Sequence, residues 1–258
     1  MKRWAILTVL LYFLVLLLLS LPLLALLGLQ KSAEVGWHIS LTEAEALEVY
    51  QHWGFWLWLG VLALGQALLL LVPVDVAERR VTSQRRLLVP AMTAAFLFAT
   101  VFIAAVFSAL CVIFHDKAFD LIDVLGQFAL SEASQNPLTK RIAVTGTADW
   151  EFLLGTINVM AVFWIAWGVV FYRFAQTDGP EALIKRLTRW LLRGSILELL
   201  VAVPSHVIVR GRNDCCAPMG TFWGIVTGLS IMILSFGPGV FFLFVERFRR
   251  LKPPGSSA

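Results

Sequence analysis

Charged residues are scarce in this sequence. They make up 15% of the 258 residues, whereas hydrophobic residues make up 59%. A soluble domain of this length has too small an interior to bury that much apolar surface, so the composition excludes a soluble globular protein. The chain is therefore expected to lie in a lipid bilayer.

The common catalytic signatures are absent as well. The sequence contains no nucleotide-binding loop, no HExxH or GxSxG motif and no kinase signature, which disfavours an ordinary enzyme. It has no C-x-x-C-H motif for covalent haem attachment. Nor does it show an internal repeat of the kind that builds inverted-repeat transporters.

Six long apolar runs dominate the sequence. About 20 helical residues cross a hydrocarbon core roughly 30 Å thick, and the runs are long enough for that. They are continuously apolar, without the alternation of a barrel strand, so they predict helices. The predicted fold class is all-α: a polytopic helical membrane bundle of six transmembrane helices in one membrane domain. The predicted spans are 4–29, 52–73, 88–114, 151–172, 191–209 and 219–245, with outer loops at 30–51, 115–150 and 210–218.

Basic residues predict the orientation of the bundle. With the N-terminus inside, 15 of the 21 lysines and arginines fall in cytoplasmic segments, which agrees with the positive-inside rule. Lys2 and Arg3 precede the first run as in a signal peptide, but the length of that run predicts an uncleaved span. Both termini are thus predicted to be cytoplasmic, in the bacterial cytoplasmic (inner) membrane. The basic surplus reflects this topology and does not indicate nucleic-acid binding.

Cysteine is rare, and its placement is unusual. The chain has three cysteines and four histidines, and the predicted topology places all of them at the outer side. Cys215 and Cys216 are adjacent, between the fifth and sixth spans. Such a vicinal pair can close a strained disulfide ring that is easily reduced, which suits redox chemistry in an oxidising compartment. Cys111 is the candidate exchange partner.

Two further chemistries are open to the same outer cluster. The thiolates, together with His206, His115 or Met219, would suit a soft metal such as copper(I) or mercury(II). Haem held between two spans would instead use His52, His115 or His206 as axial ligands. The alternative without chemistry is a short polar loop with two unreactive cysteines, and histidines that accept hydrogen bonds at helix ends.

Strongly polar side chains are few within the spans. Glu198 is the most exceptional, because a carboxylate at that depth costs about 2.5–3.5 kcal/mol even on insertion scales. It must be protonated, paired or next to water. Asn158 and Gln66 are its candidate hydrogen-bond partners on other spans. Glu198 is therefore expected to make a structural hydrogen bond or to belong to a proton or ion pathway.

Three glycines predict close helix packing in the last span. Gly220, Gly224 and Gly228 form a doubled GxxxG on one helix face. Small residues at this spacing let the backbone of a second helix approach closely. That second helix is either internal or part of another membrane protein.

A basic segment precedes the fifth span. In DGPEALIKRLTRWLLRG, Asp178 is the predicted N-cap, Pro180 lies in the first turn, and Glu181 completes the capping box. The basic side chains of this segment either contact lipid headgroups or simply remain in the cytoplasm.

The functional expectation combines these features. The sequence favours a binding, thiol-redox or accessory component of a membrane system, with an extracytoplasmic cysteine and histidine cluster. A structural or assembly subunit without its own site is the first alternative. A small-solute or metal-ion transporter that uses Glu198 is the second.

Overall fold

The structure is a computed structural model of the chain. It describes residues 2–32, 34–39, 49–51, 53–79, 84–114, 149–212 and 217–251. Six of its helices are long and apolar enough to cross a membrane, which confirms the predicted helical membrane bundle. The helices are α1 (Lys2–Leu27), α2 (Trp53–Arg79), α3 (Gln84–Phe114), α4 (Asp149–Thr177), α5 (Pro180–Arg212) and α6 (Ala217–Leu251).

The fifth helix is longer than its predicted span. The basic segment and the apolar run that follows it both belong to α5, a single helix of 33 residues. This helix continues through Pro204, which membrane helices tolerate because neighbouring groups adjust to the missing donor. Asp178 lies before the first residue of α5, and its Oδ2 atom is 3.1 Å from Nε of Arg186. The carboxylate that was predicted to cap the helix therefore forms an ion pair with it.

A short β-hairpin follows α1 within the predicted outer loop 30–51. β1 (Leu29–Ser32) pairs in antiparallel fashion with β2 (Gly36–Ile39). Gly36 has a φ of 76°, in the left-handed region that glycine adopts without strain. β1 packs against α5. No strand is predicted in this loop from the sequence, because two strands of four residues leave too little periodicity to recognise.

α3 and α6 form the centre of the bundle. α6 contacts α1, α2, α3 and α5, and α3 contacts α2, α4, α5 and α6. α1 and α4 are peripheral: only 17% and 11% of their spanning stretches are buried, against 56% for α6. Large apolar side chains such as Leu10 and Ile165 remain exposed on these outer helices. In a bilayer this surface contacts lipid chains, as its composition requires.

Aromatic side chains fix α3, α4 and α5 against one another near the junction of α4 and α5. Phe98 packs against two tryptophans, with ring centroids 4.3 Å from Trp167 and 6.0 Å from Trp190, and the two tryptophan rings are 5.9 Å from each other. Gly194 permits this packing, because a Cβ atom there would lie 2.6 Å from Cε2 of Phe98. Contacts of this kind add about 0.5–1.5 kcal/mol each beyond the buried area.

Candidate functional site

Glu198 lies far from both ends of α5, on the face that turns toward the bundle interior. At a rise of 1.5 Å per residue it is about 27 Å from the first residue of the helix and about 21 Å from the last. The residue is 1% exposed. Ser195, Ala202 and Ser205, which share its helix face, are buried as well. The helix therefore carries this carboxyl group into the interior at the depth of the bilayer core.

The side chain of Glu198 packs against Gly224 and Gly228 of α6. The carboxyl group occupies the place that a Cβ atom would take at Gly228. At Gly224 a Cβ atom would lie 2.6 Å from Oγ of Ser108 and 3.1 Å from Oε1 of Glu198. A side chain at Gly228 would have to displace the carboxyl group, and a side chain at Gly224 would have to displace the Ser108 hydroxyl, so the missing side chains provide the space for both groups. The site lies where α3, α5 and α6 meet.

The predicted glycine face is used inside the chain. Gly220 faces Phe107, whose ring fills the space of its missing side chain. All three glycines of the doubled GxxxG are buried. The close approach that the spacing predicts is thus made with α3 and α5, which is the internal alternative.

The carboxyl group has no hydrogen-bond partner within the part of the chain that the structure describes. Both carboxyl oxygens of Glu198 are buried without a hydrogen bond, and so is Oγ of Ser108. An unsatisfied buried polar group costs about 1–3 kcal/mol. Both side chains approach the same point beside Gly224, so the Ser108 hydroxyl lies next to the Glu198 carboxyl group.

Neither predicted partner reaches Glu198. Gln66 is also buried, but its amide lies against Gly237. Gly237 is nine residues from Gly228, which corresponds to about 13.5 Å along α6. Asn158 lies on an exposed part of α4. The sequence pairing of Glu198 with Gln66 or Asn158 is therefore wrong, because helix depth and facing separate the side chains.

A second polar contact joins α5 and α6 nearer to their connection. Nδ1 of His206 lies 2.8 Å from Oγ1 of Thr221, and both residues are buried. The Thr221 hydroxyl is also 3.2 Å from the carbonyl oxygen of Ala217. When this hydroxyl donates to the carbonyl, its oxygen accepts from a protonated Nδ1 of His206. His206 is about 12 Å from Glu198 along α5.

Cys111 is the one cysteine among the described residues. Cys111 is buried in a cluster with Phe107, Val209 and Ala217. Nη1 of Arg212 donates to the carbonyl oxygen of Val112 at 2.9 Å, which ties the end of α5 to the end of α3. The structure thus brings Cys111 to the same end of the bundle as the start of α6.

Four of the predicted cluster members cannot be placed next to Cys111, because they are not among the residues that the structure describes. Cys215, Cys216, His52 and His115 lie outside the described residues. Met219 is 58% exposed, whereas Cys111 and His206 are buried. Among the residues that the structure describes, no three His, Cys, Asp or Glu side chains are grouped closely enough to hold a metal ion.

Ser108 and Thr221 are site residues that are not predicted from the sequence. Hydroxyl side chains are common in membrane helices because they can bond to the backbone of their own helix. Ser108 nevertheless lies one helical turn before Cys111 in an otherwise apolar stretch. That spacing was the available signal that both residues share one face of α3.

Comparison with known proteins adds no constraint. No protein family, curated protein or solved structure matches this chain. The features that bear on function are therefore the geometry around Glu198 and the end of the bundle where α5 and α6 are connected.

Proposed function

We propose that this chain is a proton-binding or small-cation-binding component of a membrane system, with the carboxyl group of Glu198 as the binding group. The observation that carries the proposal is a carboxyl group that is 1% exposed, with both oxygens unpartnered in the described structure. An ionisable side chain at this depth is costly, and in membrane proteins such groups mark proton or ion pathways. Binding a positive charge removes the cost of keeping the carboxylate in the bilayer.

The surrounding groups suit a small positively charged ligand. A carboxyl oxygen and the Ser108 hydroxyl are oxygen donors, which hard cations prefer. Gly224 and Gly228 keep other side chains away from these oxygens. A proton needs only the carboxyl group, whereas a cation would use Ser108 as a further ligand. The two ligands are therefore distinguished by their dependence on Ser108.

Further buried polar groups lie between Glu198 and the end of α5 that precedes α6. Ser205 is seven residues beyond Glu198 and lies on the same helix face. His206 and Thr221 follow at the contact with α6. Histidine exchanges protons near neutral pH, and hydroxyl groups can both donate and accept. This series of groups supports access to Glu198 from the side where α5 and α6 are connected.

Modification by a hydrophobic carbodiimide tests the proposal. Such reagents react with protonated carboxyl groups in apolar surroundings, so peptide mass spectrometry of the purified protein should find the modification at Glu198. Glu198→Gln should abolish it. Glu246→Gln is the matched control, because Glu246 is a carboxyl group whose Oε2 atom pairs with Nζ of Lys185 at 2.8 Å; this variant should react like the wild type.

Protection experiments separate the two ligands. If a cation binds, then sodium, potassium or lithium ions should slow the modification at constant pH, and Ser108→Ala should weaken this protection. If only a proton binds, the rate of modification should change with pH and should not depend on these ions. Absence of modification at every pH and salt concentration, in a protein that remains folded, would contradict the proposal.

A thiol-redox site is the second candidate function. Its support is the position of Cys111 in a buried cluster with Val209 and Ala217, since Ala217 directly follows Cys216 in the sequence. Thiol titration of the unfolded protein with and without prior reduction should then show a disulfide, and Cys216→Ser should remove it. Metal and haem analysis of the same sample tests the two other chemistries of the cluster. Three unreactive thiols, no metal and no haem would exclude all of them.

A structural or assembly subunit is the function that remains if both tests fail. In that case Glu198→Gln and Cys216→Ser would both leave the protein fully active in its membrane system. The glycine face is buried against α3 and α5, so an assembly partner would have to use another surface, such as the exposed apolar side of α1 or α4.

A further inference from the structure

A pocket lined by three arginines lies near the start of α5. Its walls are Phe174, Arg186, Arg189, Trp190 and Arg193, and its volume is about 370 Å³. We call this set the arginine pocket. Trp190 also belongs to the aromatic packing that fixes α3, α4 and α5, so one wall of the pocket is held in place by the core.

Positive charge is in excess in the arginine pocket. Arg186 pairs with Asp178, and its guanidinium lies 4.7 Å from the ring centroid of Phe174. Nε of Arg189 donates to the carbonyl oxygen of Lys185 at 3.1 Å. Within the described part of the chain, neither Arg189 nor Arg193 forms an ion pair with a carboxylate. Two guanidinium groups are thus available to an anion from outside the protein.

The same helix face continues into apolar surface. Trp190, Arg193, Leu197 and Leu200 follow at alternating spacings of three and four residues, which places them in one row along α5. Leu197 is 65% exposed and Leu200 is 67% exposed. The row therefore presents basic groups at one end and a lipid-facing apolar strip deeper in the membrane. A tryptophan at the boundary is typical of the membrane interface.

We infer that the arginine pocket binds the phosphate-bearing headgroup of an anionic phospholipid, with an acyl chain lying along Leu197 and Leu200. Guanidinium groups match phosphate geometry and can bind it through two parallel hydrogen bonds. The charge-based topology places the pocket in the cytoplasmic leaflet, where anionic lipids attract basic residues next to a span. Free phosphate has the same chemistry but would make no use of the apolar row. This inference does not depend on Glu198.

Lipid retention by the full-length protein tests this inference. The protein is purified in a mild detergent, and bound lipid is measured by native mass spectrometry after addition of phosphatidylglycerol or phosphatidylcholine with identical acyl chains. Phosphatidylglycerol should be retained more strongly. Arg189→Gln combined with Arg193→Gln should weaken its binding at least about tenfold, since each basic residue near a membrane surface contributes appreciably.

Matched controls define the results that would overturn the inference. Arg173→Gln removes an exposed arginine of α4 that does not line the pocket. This variant should retain as much phosphatidylglycerol as the wild type. A loss equal to that of the double variant would show that the lipid is attracted by positive charge in general and not by the arginine pocket. Equal retention of phosphatidylcholine would exclude recognition of the anionic headgroup. Complete displacement of phosphatidylglycerol by equimolar inorganic phosphate or glycerol 3-phosphate would show that the ligand is a soluble phosphate. An unchanged thermal unfolding midpoint of each variant establishes that it is folded.

Discussion

Glu198 and Gln66 are two buried polar side chains that meet α6 in the same way. Each lies where a glycine of α6 has no side chain, Glu198 at Gly228 and Gln66 at Gly237. The polar atoms of both side chains are buried and have no hydrogen bond within the described residues. The two sites therefore share one steric design, which uses a glycine to admit a polar group from a neighbouring helix.

The two sites differ in the chemistry of their polar group, which is an amide at Gln66 and a carboxyl group at Glu198. An amide stays neutral, so Gln66 can only fill space or hydrogen-bond. A carboxyl group can gain or lose a charge, and Glu198 has the Ser108 hydroxyl beside it. We therefore expect both glycines to matter for stability, but only the Glu198 site to bind a proton or a cation.

The largest expected effect is that of a methyl group at either glycine. Gly228→Ala would place its Cβ atom where the Glu198 carboxyl group lies, and Gly237→Ala would do the same to the Gln66 amide. Overpacking of this kind costs about 1–3 kcal/mol. Both variants should lower the midpoint of thermal unfolding in detergent. A midpoint equal to that of the wild type would contradict the described contact.

The next largest effect is the recovery of stability when the side chain that meets the new methyl group is also removed. Adding Glu198→Ala to Gly228→Ala should restore part of the lost stability, because it removes the side chain that the new methyl group meets. Couplings between residues in contact are about 0.5–3 kcal/mol. Gln66→Ala should rescue Gly237→Ala in the same way. The crossed combination of Gly228→Ala with Gln66→Ala should show no rescue, and equal rescue in both pairings would refute the two separate contacts.

A smaller effect on stability distinguishes the two polar groups by function. Gln66→Leu removes an unpartnered buried amide and keeps the approximate shape, so it should be nearly neutral or slightly stabilising. Glu198→Gln should likewise change the unfolding midpoint little, yet abolish carbodiimide modification and cation protection. Loss of these properties in Gln66→Leu as well would show that they do not belong to Glu198 specifically.

The smallest effect has the opposite sign and serves as a control for the glycine substitutions. Gly239 lies on α6 two residues beyond Gly237, and among the described residues no side chain or neighbouring helix comes within 4 Å of a Cβ atom placed there. Alanine is favoured over glycine in a helix interior by roughly 0.5–1 kcal/mol. Gly239→Ala should therefore leave the unfolding midpoint unchanged or raise it slightly. A large decrease would show that alanine at this part of α6 is harmful for a reason other than contact with a polar side chain.

The sequence predicts the fold well because the bilayer imposes it. A membrane-spanning helix needs a long apolar run, and that requirement is visible without knowledge of any contact. The same reasoning identifies Glu198 by the cost of its charge. It also identifies Gly224 and Gly228 as places of close approach.

The contacts of Glu198 were beyond the reach of the sequence. Hydropathy gives the approximate depth of a residue but not the helix that it faces, so Gln66 was a reasonable and incorrect partner. Ser108 was not singled out because serines are common in membrane helices, and its spacing to Cys111 gives a shared helix face but not the helix that this face contacts. The same holds for the cysteine pair, because its position in the sequence does not determine which side chains lie near it.

The protonation state of the Glu198 carboxyl group is the most direct test of the central claim. Infrared difference spectra of protein with isotope-labelled glutamate, compared between wild type and Glu198→Gln, isolate the signal of this one group. We predict a carboxylic acid band that shifts in heavy water and changes when the pH or the concentration of the bound cation changes. A band that stays constant under every condition at which the protein is folded would show that Glu198 exchanges neither a proton nor a cation with its surroundings, and would contradict the proposed function.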